Sequence, residues 1–251
     1  MLKSHLKHLF AIALISASGS VLAAEVTVSA ASSLTNAFKD IAANFEAAHP
    51  EHKVLLNFAG SGELLQQISK GAPVDVFASA DQETMDKAQA QGLLTNASRR
   101  DFVHNTLVVI TPANSSLKLT QLSDLQRTDL QRLAVSNPDS VPVGRYSKQA
   151  LLANNLWDVL VEKMINTQNV RQSLDYVARD EVDAGFVYAT DAAIMADKVK
   201  VQFTVPLDTV VSYPIAVTKE GSAKALSQQF IDYTFSEDSQ AVLSQYGFSQ
   251  P

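Results

Sequence analysis

The chain has 251 residues, a formal net charge of −6 and no cysteine. The missing cysteines exclude disulfides, thiolate metal sites, a cysteine nucleophile and an acylated-cysteine anchor, and the acidic balance disfavours nucleic acid and anionic membrane as partners.

Met1–Ala24 reads as a leader. Lys3 and Lys7 precede an apolar stretch, Leu9–Ile15, and small residues lead to Val21-Leu22-Ala23-Ala24. That is the pattern of a secretory signal peptide cleaved after Ala23 or Ala24, and the apolar stretch is shorter than the ~20 residues a membrane span needs. The mature chain is expected to be free in the periplasm. Losing Lys3 and Lys7 takes its charge from −6 to −8, so an anionic ligand would have to be held by local donors, not by the long-range field. The remaining length suits two lobes of roughly a hundred residues each.

In chain order, Val26–Ser29 is a predicted strand that ends on Ala30-Ala31-Ser32-Ser33 and feeds a helix over Leu34–His49, with Ser33 suited to the N-cap. A second strand, Lys53–Phe58, runs into Gly60-Ser61-Gly62 and a helix over Glu63–Gly71. A glycine-flanked serine opening a helix is a usual way to build an anion pocket. It is no nucleotide loop, because Glu63-Leu64-Leu65 follows where a lysine is needed. Nor is it an esterase elbow, since Ala59 and Glu63 stand where G-x-S-x-G has its glycines. A strand over Val76–Ser79 and a helix over Gln82–Gln91 come next. The segment "HNTLVVI", containing the predicted strand Leu107–Thr111, reads as an extended crossing between lobes.

Strand Leu133–Ser136 ends in "SNPDSVPVGRYSKQAL", read as a Pro-Gly loop before a helix over Ser147–Asn154. Pro142 fixes its own φ, Gly144 relaxes the next turn, and the amide of Val143 can point inward. "NTQNVRQSLDYV" opens a helix over Val170–Arg179, where the N–H of Val170 is an unpaired first-turn donor. Strand Ala184–Tyr188 places Tyr188 at its end, where a buried hydroxyl needs a partner, and a helix over Asp191–Ala196 follows. "VSYPIAV", with strand Ile215–Val217, reads as the second crossing, and Ala223–Ser244 as a final helical region.

Strands alternating with helices imply parallel sheets covered by helices, with ligands beyond the carboxyl ends of the strands. No Lys or Arg falls inside the serine motifs. Arg145 and Arg171, each beside a candidate amide donor, are expected to face outward. A pocket made only of donors suits a fully deprotonated tetrahedral dianion: molybdate, tungstate or sulfate. Monohydrogen phosphate would need an acceptor, and Asp191, the nearby carboxylate, is expected to serve its helix start instead. A secreted serine hydrolase would need a base, yet beyond the leader only His49, His52 and His104 remain, none in a triad context. His49 and His52 are expected to be solvated. No His/Asp/Glu cluster has metal-ligand spacing.

The ordered set "AASSLTNAF", "FAGSGEL", "GAPVDVFASAD", "VPVGRYSKQAL", "NVRQSLDYV", "GFVYATDA" and "YPIAV" resembles the periplasmic molybdate-binding proteins of ABC importers. The resemblance implies a type II periplasmic binding protein of the α/β class, two α/β lobes with mixed, mainly parallel sheets joined by a two-strand hinge. Residues 25–104 and 212–251 would form the first lobe and 105–211 the second. It further implies that Ser33 and Ser61 bind the oxyanion through hydroxyl and amide, Val143 and Val170 through amides and Tyr188 through its hydroxyl. No cofactor, protein–metal ligand or catalytic activity is expected. The implied partners of this monomer are molybdate or tungstate, a membrane permease and its cytoplasmic ATPase. Another tetrahedral oxyanion such as sulfate is the alternative ligand.

Overall fold

The computed structural model describes residues 24–251, so the expected leader lies outside the described residues but for Ala24. The first sheet opens with β1 (Ala24–Ala31), followed by α1 (Thr35–Ala48), and β2 (His52–Ala59), which leads into α2 (Ser61–Ser69). β3 (Val76–Ala78), α3 (Gln82–Ala90) and β4 (Arg100–Asn105) follow. Only Thr106 separates β4 from β5 (Leu107–Pro112), the first strand of a second sheet. That sheet continues with β6 (Leu133–Ser136), α4 (Pro142–Ala153), α5 (Trp157–Leu160), β7 (Met164–Thr167) and α6 (Val170–Ala178). It is completed by β8 (Ala184–Tyr188), α7 (Ala189–Ile194) and β9 (Val199–Thr204). The chain then returns through β10 (Val211–Val217) to the first sheet and ends in α8 (Ala225–Thr234) and α9 (Glu237–Gln245).

The strand orders are β2-β1-β3-β10-β4 and β7-β6-β8-β5-β9. β1 runs parallel to β2 and β3, and β6 parallel to β7 and β8, whereas β10 and β5 run antiparallel to their neighbours. This is an α/β fold of two mixed sheets. The inner strands β5, β6, β8 and β10 are buried along their whole length, as expected where helices cover both faces. α1 buries Ala37, Phe38, Ile41, Ala42 and Phe45 on one stripe, and Phe38 and Phe45 both meet the ring of Phe230 from α8.

Several local expectations change. β4, β7 and β9 were not anticipated as strands: all three are edge strands that mix exposed and buried positions, and four residues are too few for β7 to show a period. The final helical region is two helices, because the hydroxyl of Ser236 accepts from the amide of Ser239 and starts α9 anew. The supposed Pro-Gly loop is the first turn of α4, with Pro142 at a position that needs no N–H. Gly144 there serves close packing instead of a turn: a Cβ would stand 2.1 Å from the carbonyl oxygen of Ser136. His49 and His52 are half-buried, with ring centroids 4.8 and 6.2 Å from that of Phe45.

Candidate functional site

β1 and β2 pair in parallel up to Ala31 opposite Ala59. The residues that follow, Ser32-Ser33 and Gly60-Ser61, therefore leave the sheet at the same level. The second sheet supplies the facing wall from the starts of α4 and α6 and the end of β8. Between the two walls lies a tight cavity, lined by Ser32, Ser33, Gly60, Ser61 and Ala80 on one side and Val141, Pro142, Val143, Val170 and Tyr188 on the other. All five residues singled out in the sequence, Ser33, Ser61, Val143, Val170 and Tyr188, thus line one cavity, and all are buried. Among the described residues, no charged side chain lines it. A wider groove at the rim, lined by Glu63, Lys87, Asp139 and Arg145 among others, mixes both signs of charge.

Neither serine acts as a helix cap. Ser33 sits inside a 3-10 turn, and its Oγ lies 2.9 Å from the hydroxyl of Tyr213. Ser61 is the first residue of α2, and its Oγ accepts from the amide of Ala80 at 3.1 Å. The amides of Ser61, Val143 and Val170 stand in first helical turns, which have no intrahelical acceptor. The Tyr188 hydroxyl is buried and has no hydrogen-bond partner among the described residues. Burial raises its pKa well above 10, with the neighbouring Tyr213 adding to the effect, so it remains a neutral O–H donor. A buried donor without an acceptor is costly, and here it faces a cavity of other donors.

The two arginines do not face outward. Arg145 pairs with Asp81 across the interface, Nε to Oδ2 at 2.7 Å, and donates to the Thr84 hydroxyl at 2.6 Å. Arg171 pairs with Asp191 at 2.6 Å while donating to Oδ1 of Asn36 and to the carbonyl of Ser33 on the opposite side. Each is one or two positions along the helix from an amide donor, which turns its side chain away from the cavity but onto the opposing lobe. Asp81 and Asp191 neutralise these cations, so neither is a free charge for an anion. Asp191 is fully buried in the first turn of α7 and does not line the cavity; burial lifts its pKa to about 6 despite Arg171.

Backbone contact also crosses the interface. The amide of Gly62 donates to the carbonyl of Ser140 at 2.9 Å. A Cβ on Gly62 would stand 2.4 Å from that oxygen, and one on Gly60 would stand 3.0 Å from the carbonyl of Gln168. The glycines flanking Ser61 therefore admit the backbone of the second lobe. Nothing local in the sequence marks this, nor the contacts of Tyr213 with Ser33 and of Ala80 with Ser61. "YPIAV" did contain Tyr213, but only as part of a crossing. Among the described residues, no cluster of three or more His, Asp or Glu could hold a metal ion.

Residues 26–249 match the family of bacterial extracellular solute-binding proteins. The molybdate-binding protein ModA of Escherichia coli is 40% identical over 239 residues, covering 92% of each chain. ModA of Haemophilus influenzae is 34% identical, covering 90% of each. Among solved structures, the periplasmic molybdate-binding protein of Azotobacter vinelandii superposes with a TM-score of 0.80 at 26% identity, covering 90% of this chain and 99% of that one. With a match running through nearly all of its described residues, this chain belongs to the bacterial extracellular solute-binding proteins.

Proposed function

We propose that this chain is the periplasmic receptor of an ABC importer, capturing molybdate, and tungstate with it, as the bare dianion. The observation that carries the reading is a buried cavity in which hydroxyls and first-turn amides converge and no charged side chain intrudes. Ser33 and Ser61 would bind through hydroxyl and amide, Val143 and Val170 through amides and Tyr188 through its hydroxyl. Hydrogen bonds to a charged acceptor contribute about 1.5–3 kcal/mol each, and helix N-termini add about 0.3–1 kcal/mol. Half a dozen such donors offset much of a dianion's desolvation. Molybdenum enters only within its oxyanion, so no cofactor and no protein–metal bond is involved.

The chain is not an enzyme in this reading. No histidine lines the cavity beside the serines, and its relatives are named for binding. Residues 25–104 and 212–251 form one lobe and 105–211 the other, hinged at Thr106 and across 205–210, so ligand draws an open form to the closed one. The monomer, free in the periplasm, then presents the anion to a permease coupled to a cytoplasmic ATPase. Calorimetry of the ligand-free mature protein with molybdate, tungstate, sulfate and phosphate tests this. Tight binding of the first two and weak binding of the others is expected; sulfate or phosphate matching molybdate would overturn the ligand assignment.

A further inference from the structure

Resting on the ligand reading above, we infer that Asn105 and Tyr213 are positioning residues that set the direction of the Ser33 hydroxyl, turning its proton toward the anion. One chain of hydrogen bonds fixes where each of its protons lies. The Oδ1 of Asn105 accepts the amide of Thr106 at 2.8 Å. An N–H can only donate, so this contact fixes which end of the side-chain amide is oxygen. The Nδ2 group, a donor without lone pairs to offer, then faces the hydroxyls of Thr190 at 2.8 Å and Tyr213 at 3.1 Å.

Tyr213 is fully buried, and burial keeps it protonated. Its oxygen is already accepting from Asn105, and among the described residues the one remaining partner for its own proton is Oγ of Ser33, 2.9 Å away. If Ser33 donated instead, the phenol proton would be left buried without an acceptor. The chain therefore runs in one direction, from Asn105 to Tyr213 to Ser33, and leaves the serine proton for the cavity. Ser61 reaches the same state by a shorter route, since its Oγ accepts from the amide of Ala80. Tyr188 completes the set with its unpartnered hydroxyl. Three hydroxyls are thus each left with a proton free for the cavity, which favours an anion that brings only acceptors. Asn105 lies at the end of β4, two residues before β5, and it joins Tyr213, which meets Ser33 of one sheet's wall, to Thr190 of the other, so the relay is assembled at the crossing between lobes.

Two double-mutant cycles on the full mature chain test this, read by calorimetric titration with molybdate and by the melting temperature without ligand. Asn105→Asp keeps the shape but replaces the donor with an acceptor. Tyr213 then donates to the carboxylate, Ser33 donates to Tyr213, and a lone pair faces the anion. Molybdate affinity should fall by about a hundredfold or more, and the ratio of monohydrogen phosphate to molybdate affinity should rise. Adding Tyr213→Phe to Asn105→Asp cuts the relay and should restore affinity to the level of Tyr213→Phe alone, which loses roughly tenfold or less. A double variant as weak as Asn105→Asp alone would trace the loss to the added charge and overturn the relay.

The second cycle does not depend on Asn105→Asp folding. Tyr213→Phe should weaken molybdate binding in the parent and have no effect in a Ser33→Ala background, because Tyr213 acts through Ser33. No effect in the parent, or an undiminished effect without the serine hydroxyl, would overturn the inference. A parent that binds sulfate but not molybdate would instead overturn the ligand reading, and the same cycles run with sulfate would still decide the relay.

Discussion

Gly62→Ala separates folding from closure. Gly62 lies in the first turn of α2 with no positive φ, so alanine fits its backbone and gains about 0.5–1 kcal/mol of helix propensity in the open form. In the closed form the new Cβ would stand 2.4 Å from the carbonyl oxygen of Ser140 and 2.9 Å from its Cα, both on the opposite lobe. Ordinary C···O contact begins at about 3.3 Å, so the walls must part by roughly 0.9 Å, and the Gly62–Ser140 hydrogen bond, 2.9 Å in the parent, is stretched beyond bonding range. An anion seated on Ser33 and Ser61 then loses reach to some of the donors from the second lobe: the amides of Val143 and Val170 and the Tyr188 hydroxyl. At about 1.5–3 kcal/mol each, losing two costs about 3–6 kcal/mol, a fall in affinity of roughly 10²- to 10⁴-fold. Calorimetry with molybdate and thermal melts with and without ligand would read both effects. The melting temperature without ligand should be unchanged or higher, while the rise caused by molybdate shrinks. Parent-like affinity in a folded Gly62→Ala protein would refute both the closed geometry and the reason given for the glycine.

Other expectations follow from the same site. Ser61→Ala and Tyr188→Phe should each weaken molybdate binding by about 1.5–3 kcal/mol with the fold intact; titrations matching the parent would remove that residue from the site. Val143→Ala should bind nearly normally, whereas Val143→Pro, which deletes the N–H at a turn position that tolerates proline, should bind at least tenfold more weakly by the same titration. Arg145→Ala removes the ion pair to Asp81 and the bond to Thr84 across the interface, so stopped-flow release of molybdate should quicken by about ten- to a hundredfold with little change in the ligand-free melt; an unchanged release rate would mean the pair does not hold the lobes together. Asp191 titrates near 6 when folded because of burial but near 3.9 when unfolded. Its native proton is therefore held where the unfolded chain has released it, and its stability contribution, full below about pH 4, is lost as pH rises through 6. The difference in unfolding free energy between the parent and Asp191→Asn should decline over that window by at most about 1.4 kcal/mol per pH unit, and denaturant titrations showing a flat difference would contradict the buried, proton-retaining state.

Much of the architecture was legible because it follows from local rules. Inner strands such as Leu133–Ser136 and Ala184–Tyr188 are buried throughout, so they stand out as short apolar runs with their observed limits. Helix starts at Ser61 and Val170 carry their own signals, and the two serines, two valine amides and Tyr188 could be nominated because each ends a strand or opens a helix. Edge strands β7 and β9 carried no such signal, since one exposed face and short length erase periodicity. The sequence by itself determined the α/β alternation, the absence of cysteine chemistry and the supply of neutral donors at strand ends. Only the tertiary structure decided what those donors meet. Gly60 and Gly62 matter for a backbone that arrives from Ser140 and Gln168, far away in the chain. Arg145 pairs with Asp81 and Arg171 donates to Asn36 on the opposite wall, and Ser33 meets the hydroxyl of Tyr213, 180 residues away. Propensity and patterning act within a few residues, whereas hydrogen-bond direction and steric fit depend on which surfaces are brought within about 3 Å of each other, and that is a property of the packed chain.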